Sequence, residues 1–263
     1  MKYIPKELMN EIRTKYAILG GNSNYPFQDD CRRIASREIE KNAQIQSYEI
    51  ENPHSRIPFS ISRNNHKKRI REGIKNIGNA FTWGVNNFDP VDFEESFIRE
   101  VAGRIYPKLH NEAIAQYRTD NVRIIGASKI PPDSYKILLR EIPWFVNSLK
   151  KQLSYEDIVS KIKVAIFSHL HLARIHPFDD GNGRTARTLQ DVILTFYDIP
   201  VPLIPSGERH IYYACLDKAV GGWSDNKSDG IENTPSEGEN LFYTFIAGKI
   251  NSSLDKLISK CKG

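Results

Sequence analysis

Apolar residues at Ile158, Ile162, Ala165, Ile166, Leu170 and Ala173 recur at three- and four-residue steps. That is the period of one buried helical face. Ser154 and Asp157 precede them in the Ser-x-x-Asp form of a capping box. Pro177 disfavours helical geometry at His176, so the helix is predicted to end there. A second stripe, Ala186, Leu189, Val192, Ile193 and Phe196, predicts a helix from near Gly183 to the Asp198 and Pro200 stop signals. These two helices frame a polar turn.

The rest of the chain is predominantly helical by the same criteria. A short helix is expected over Glu7 to Leu19, and a second stretch runs from Asp29, with Asp29 or Asp30 as cap, to Asn52 before Pro53. Asp89-Pro90 reads as a cap and first-turn proline, followed by an apolar face of Phe93, Phe97, Ile98, Val101 and Ile105. Leu109 to Gln116 reads as a further helix. The pattern changes over 117–130, where Asp120-Asn121 is a turn signal followed by β-branched residues, predicting one short β-hairpin. Helical signals resume at Pro131-Pro132-Asp133, with Pro143 expected to break or kink them. Another helix opens at Arg209-His210-Ile211-Tyr212-Tyr213. Gly221 to Glu239 reads as a mobile loop, and Leu241, Phe245 and Ile250 place a last helix ending near Lys262. The expected fold is a mainly α helical bundle with one small hairpin.

Composition adds bounds. At 263 residues, 40% hydrophobic and 26% charged, the chain has ample length for a core. A formal charge of +5 admits an acidic partner or a nucleotide and requires neither. The basic cluster from Arg63 to Arg71 lacks interleaved aromatics and reads as a solvated helix face, with a docking patch for an acidic partner as the alternative. Cys31, Cys215 and Cys261 are scattered without metal or disulfide spacing, which points to the reducing cytoplasm. No leader-like apolar segment opens the sequence and no run approaches membrane-spanning length. No helix-turn-helix segment is evident, so no nucleic-acid partner is expected. Oligomeric state is not legible.

The polar turn carries the chemistry. His176-Pro177-Phe178-Asp179-Asp180-Gly181-Asn182-Gly183-Arg184-Thr185-Ala186-Arg187 brings a base, carboxylates, glycines and two arginines together. Gly181 and Gly183 permit positive φ and close ligand approach. Consecutive N–H groups can form an anion nest, and the following helix adds its N-terminal donors. Arg184 and Arg187 share a helix face and match phosphate oxygens. Asp180 beside such a nest is a reasonable Mg²⁺ ligand, because Mg²⁺ binds one or two carboxylates plus phosphates. His176 has the right pKa range for a general base. The set predicts a di- or triphosphate site.

This stretch resembles, with no departure, the Fic family signature His-Pro-Phe-x-(Asp/Glu)-Gly-Asn-Gly-Arg-x-x-Arg. The resemblance implies a Fic-like helical bundle and transfer of AMP from Mg–ATP to a Ser, Thr or Tyr hydroxyl of a target protein, with auto-modification as a variant. It implies His176 as the base, Phe178 as the loop anchor and Asp180 as the Mg²⁺ ligand. Gly181, Asn182 and Gly183 would hold the α- and β-phosphates, and Arg184 and Arg187 the outer ones. Ser47-Tyr48-Glu49-Ile50-Glu51-Asn52 is similar to a second family pattern, Ser/Thr-x-x-x-Glu-(Gly/Asn). Its glutamate, here Glu51, would belong to an inhibitory helix over about 30–52 and pair with Arg187. Ser228 to Asn233 also fits this pattern, and Ser36 to Glu40 nearly does; Glu51 is preferred for its place in a helix upstream of the core.

The hairpin resembles the family flap, so Val122, Arg123 and Ile124 would line the target groove, which accepts a peptide by strand addition. Tyr212 and Tyr213 resemble the adenine-pocket wall. The implied organisation is an N-terminal helical region over 1–100, a core over 101–205 with the flap at 117–130, and C-terminal helices over 206–263 completing the same unit. Transfer of UMP or phosphocholine, removal of AMP, and a non-catalytic ATP sensor are the alternatives.

Overall fold

The computed structural model describes residues 3–20, 26–52, 63–107, 114–230 and 234–261. Its centre is a helical pair, α7 (Ile158–Ile175) and α8 (Asn182–Phe196). Ile162, Ala165, Ile166, Leu170, Ala186, Leu189, Val192 and Ile193 on these two helices are completely or almost completely buried. The stripes read from sequence are therefore largely the core, except that Ile158 and Ala173 are only partly buried against it and Phe196 at the end of α8 is exposed. Asp157 caps α7, accepting from the Ser160 N–H at 2.9 Å. Ser154 does not form the expected box, because its hydroxyl donates to the Lys151 carbonyl and closes the preceding helix. Helix α7 ends at Ile175 as Pro177 requires.

Other helices pack around this pair. They are α1 (Lys6–Gly20), α2 (Pro26–Glu51), α3 (Arg63–Asn87) and α4 (Glu95–Ile105), followed by α5 (Ser134–Lys136) and α6 (Ile142–Leu153). Helices α9 (Arg209–Ser228) and α10 (Glu237–Cys261) complete the bundle. Helix α2 is unbroken and starts before Asp29 and Asp30, so neither caps it.

Several expectations are corrected. Asp89-Pro90 does not open a helix: Asp89 Oδ1 accepts from the Val91 N–H at 2.8 Å, forming a local turn that delays α4 to Glu95. Pro143 neither breaks nor ends its helix. A π-helical turn over Ile137–Glu141 precedes it, and Pro143 falls in the first turn of α6, where a missing N–H is harmless. The glycines at 221 and 222 lie inside α9, where Gly222 leaves room for Ser236; a Cβ there would stand 2.3 Å from the Ser236 hydroxyl oxygen. Tertiary packing overrides propensity there, and the expected loop contracts. Of the helix expected over Leu109 to Gln116, residues 114–116 are not helical and 108–113 lie outside the described residues.

The β-hairpin expected over 117–130 is absent among the described residues. The segment is irregular on both sides of a turn, where Ala127 N–H bonds the Ile124 carbonyl and Gly126 has φ +85°. No ladder forms, because side chains hold the arms: Arg118 reaches the Pro132 carbonyl and Asn121 accepts from the Ser134 N–H. Pro131 and Pro132 also bring no N–H to a return strand. No helix among the described residues is long and apolar enough to cross a membrane.

Helices α9 and α10 cross in close contact at Gly238, where a Cβ would stand 2.0 Å from the Lys218 carbonyl oxygen. Backbone cannot give way as a side-chain tip can. Gly238→Ala is expected to lose about 1–3 kcal/mol of stability, read as a lower midpoint in thermal or urea unfolding.

Candidate functional site

The turn between α7 and α8 is built to stay in one shape. His176 adopts left-handed geometry (φ 51°, ψ 55°), with its N–H still bonded to the Leu172 carbonyl at 3.0 Å. Phe178 is buried and stacks on Tyr117 at 5.5 Å between centroids. Asn182 staples the loop: its carbonyl oxygen accepts from the Phe178 N–H at 2.9 Å, and its amide donates to the Phe178 carbonyl at 2.8 Å. The Asn182 side chain is thus committed to the loop, and only its backbone remains for an anion. Gly181 takes φ +79°, which a side chain would strain, and its carbonyl accepts from Thr185 N and Oγ1.

Arg118, which sequence reasoning passed over, ties the flap segment to this turn. It is buried, and its guanidinium donates to the carbonyls of His176 at 2.8 Å, Asp120 at 2.6 Å and Pro132. Its own N–H bonds the Pro177 carbonyl at 2.9 Å. Only its place next to the Asp-Asn turn could have drawn notice. Of the predicted flap residues, Arg123 and Ile124 are exposed and Val122 is half-buried.

Helix α8 presents its first turn and both arginines to the same region. Arg184 donates to Asp180 at 3.0 Å, while its buried Nε has no partner in the structure. Asp180 Oδ1 also accepts the Gly181 N–H, yet its side chain remains half exposed at 51%. Arg187 is enclosed. Its Nε donates to Ser47 Oγ at 2.9 Å, Nη2 to the Ser47 carbonyl at 3.0 Å and to Glu51 Oε1 at 2.8 Å, and Nη1 to Tyr212 Oη at 3.1 Å.

Glu51, the last residue of α2, therefore lies over the N-terminus of α8. A Cβ on Gly183 would stand 2.3 Å from Glu51 Oε1, so glycine is what permits this approach. Burial pushes the Glu51 carboxyl up, but Arg187, with Arg184 and His176 farther off, outweighs it and holds the group below the ordinary glutamate range. Asn52 bonds back to the Tyr48 carbonyl. Of the competing glutamates, Glu40 lines a separate cleft beside Arg37, and Glu232 lies outside the described residues.

Behind Arg187 runs a polar chain that local motifs did not reveal. Gln190 Nε2 donates to Asp191, which turns its carbonyl oxygen to His169 Nδ1 at 2.9 Å. Nδ1 therefore carries the hydrogen, and Nε2 accepts from Tyr212 Oη at 2.9 Å. Tyr212 in turn accepts from Arg187. Burial lowers the His169 pKa to about 3 and raises that of Tyr212 to about 12, so both are neutral. Tyr212 is wholly buried in this chain and offers no open face to a base. Tyr213 is half-buried under Arg209, 5.1 Å from its ring centroid.

Burial, reinforced by Arg118, lowers the His176 pKa, although a hydrogen bond to the Ala173 carbonyl and the charges of Glu51 and Asp180 pull the other way. The imidazole is neutral at pH 7 and able to take a proton. The residues fit a polyphosphate: a helix N-terminus, an orphaned Arg184 N–H and a second guanidinium, with an anion already against it. Among the described residues no three His, Cys, Asp or Glu side chains cluster to hold a metal. A cation there fits only through Asp180 together with phosphate oxygens, as Mg²⁺ commonly binds.

The architecture defines a class, a mainly helical protein with a His-bearing loop set against a helix N-terminus and two buried arginines. Comparison adds what that region is similar to: residues 92–194 match the Fic/DOC family. It is 28% identical over 165 residues to "Protein adenylyltransferase Fic" of Nematostella vectensis and 30% identical over 163 residues to that of Aedes aegypti. Each match covers 62% of this chain but only 36% and 31% of those proteins, so the chain spans about a third of the relatives it matches. In fold it resembles a Fic domain containing signalling protein from Bacteroides thetaiotaomicron, with TM-score 0.74 and 18% identity over 96% of this chain and 97% of that one. Fic-1 from C. elegans gives TM-score 0.68 and 18% identity over 97% and 73%.

Asn182→Ala strands the buried Phe178 N–H and carbonyl. It is expected to lower stability by about 1–3 kcal/mol, and an unchanged urea midpoint would mean that other contacts hold the loop.

Proposed function

We propose that this chain is an autoinhibited protein adenylyltransferase that moves AMP from ATP to a Ser, Thr or Tyr hydroxyl of a target protein. The observation that carries the reading is the Glu51 carboxylate seated on Arg187 over the first turn of α8. A carboxylate held there competes for the guanidinium that an outer phosphate would use. The named relatives support the chemistry, each bearing the name protein adenylyltransferase Fic. The catalytic core is assigned to 101–205, the inhibitory helix to the N-terminal 1–100 and the completing helices to 206–263. Free thiols at Cys31, Cys215 and Cys261 support a reducing, cytoplasmic setting.

In the proposed reaction His176, neutral at pH 7, accepts the proton of the acceptor hydroxyl as that oxygen attacks the α-phosphorus. The bond from the α-phosphorus to the bridging oxygen breaks and pyrophosphate leaves. Its charge is met by the N–H groups at Gly181 to Gly183 and by Arg184 and Arg187. Asp180 would hold Mg²⁺, which supplies further positive charge at the phosphates. Catalysis of this kind is positioning and electrostatics.

Intact-mass spectrometry after incubation with Mg–ATP tests the assignment. Glu51→Gly should acquire AMP on itself or transfer it to added protein, wild type far less, and Glu51→Gly/His176→Ala not at all. Equal, absent labelling in all three overturns the reading, and preferential labelling from UTP would move it to another phosphate-linked group.

The pH profile follows from the lowered His176 pKa. The base works when deprotonated, so activity is present above its folded pKa and lost as pH falls through it. For Glu51→Gly the acid limb of kcat/KM should lie below the ordinary histidine value of about 6.5, because removing Glu51 deletes a charge that raises it. A limb at or above that value contradicts the burial argument.

A further inference from the structure

We propose that the cleft at the base of the flap segment, with the apolar rim of the π-helical turn beside it, docks an acidic, leucine- or isoleucine-bearing segment of the target protein. This rests on the adenylyl-transfer reading and adds the chemistry by which the target is recognised.

The cleft has a volume of about 320 Å³ and lies between Ile130 and Pro132, the π-helical turn and α9. Its walls carry Lys136, Arg140, Arg174 and Lys227 against one carboxylate, Glu141. That carboxylate is 2% exposed and is shared between Arg174 and Arg140, each at 2.7 Å. Lys136 pairs with Asp133 at 2.6 Å. Leaving Lys227 aside, three cations stand against two carboxylates, and the Arg140 side chain remains 59% exposed.

The rim is apolar and open. Ile130 is 62% exposed, Tyr135 65%, Leu138 55% and Leu139 79%, and Ile125 at the flap turn is wholly exposed. A patch of large apolar side chains beside a charged cleft marks an interaction site more often than it marks bare surface. The π-helical turn that turns Leu138 and Leu139 outward is itself an irregularity common at functional positions.

The cleft lies close to the site, with Pro132 in its lining. Arg118 holds the Pro132 and His176 carbonyls with one guanidinium, and Arg174 lies two residues before His176. A nucleotide is the poorer occupant, because the Trp223 ring that would stack a base is already covered by Arg174 at 4.0 Å and Lys227 at 4.7 Å. Carboxylates match the charge, and aliphatic side chains match the rim.

The test uses the full chain with Glu51→Gly and two fluorescein-labelled peptides with a central Thr. One is built from Glu, Leu and Ser, the other has Lys in place of Glu. Anisotropy should show the acidic peptide binding and the basic one not. Lys136→Glu/Arg140→Glu should weaken it at least about tenfold, Leu138→Ser/Leu139→Ser should weaken it without changing its salt dependence, and Lys67→Glu/Lys68→Glu on α3 should leave it unchanged. Equal binding of both peptides, an equal loss in the α3 variant, or displacement of the peptide by ATP through this cleft overturns the proposal. Binding needs no turnover, so loss of peptide binding with AMP transfer intact refutes only the docking surface, and the converse refutes only the chemistry.

Discussion

Arg187 is a permanent charge with 4% of its side chain exposed, and such a charge must be met by partners wherever it sits. Three of its contacts are fixed features of the fold: the Ser47 hydroxyl, the Ser47 carbonyl and the Tyr212 hydroxyl. The fourth, to Glu51, faces the mouth of the α8 N-terminus and is the one that a phosphate oxygen can replace. One charged hydrogen bond contributes about 1.5–3 kcal/mol, a bias of roughly 10- to 150-fold. That is enough to hold a resting state and small enough for a multiply charged ligand to overcome.

The loop beside it is not the part that switches. Asn182 closes on Phe178 in both directions, Phe178 is buried, and Arg118 clamps the His176 carbonyl. Base and anion donors are preorganised whether or not Glu51 is present, which is how electrostatic catalysis avoids reorganisation during the reaction. The His169 and Gln190 chain extends the same rigidity to the far side of Arg187 through Tyr212. In the proposed autoinhibition, regulation falls to α2, which supplies the carboxylate on Arg187.

The sequence made the local parts legible because they are set by neighbours in the chain. The apolar periods of α7 and α8, the stop at Pro177 and the glycine positions of the turn are all short-range. Ser47 and Glu51 share a helix face because they are four apart, yet their meeting with Arg187 is a contact across 136 residues that no periodicity encodes. Glu40 and Glu232 looked nearly as good on spacing alone. The same limit explains the misses. The arms of 117–130 are held by Arg118 and Asn121 instead of a ladder, α9 runs through paired glycines because Ser236 packs there, and Asn182 turns inward to the loop. Each is decided by a partner distant in sequence or by a side chain competing with the backbone.

The energetics also bear on how the proposed inhibition would be relieved. Detaching α2 would expose Ala35, Ile39, Ala43 and Ile50, all buried against the bundle. Each large apolar side chain among them costs about 1.5–3 kcal/mol to return to water. Arg209 additionally holds the Ile50 carbonyl, and Arg32 the Leu19 and Asp198 carbonyls. The sum exceeds the single contact made by Glu51. Glu51, however, is the terminal residue of α2 and its side chain is 31% exposed. Rotation of that side chain, or fraying of the last turn, removes the carboxylate while leaving the helix seated and Ser47 still bound to Arg187. Relief is therefore a local event at the end of α2, and a phosphate entering at Gly183 meets an arginine already oriented to receive it.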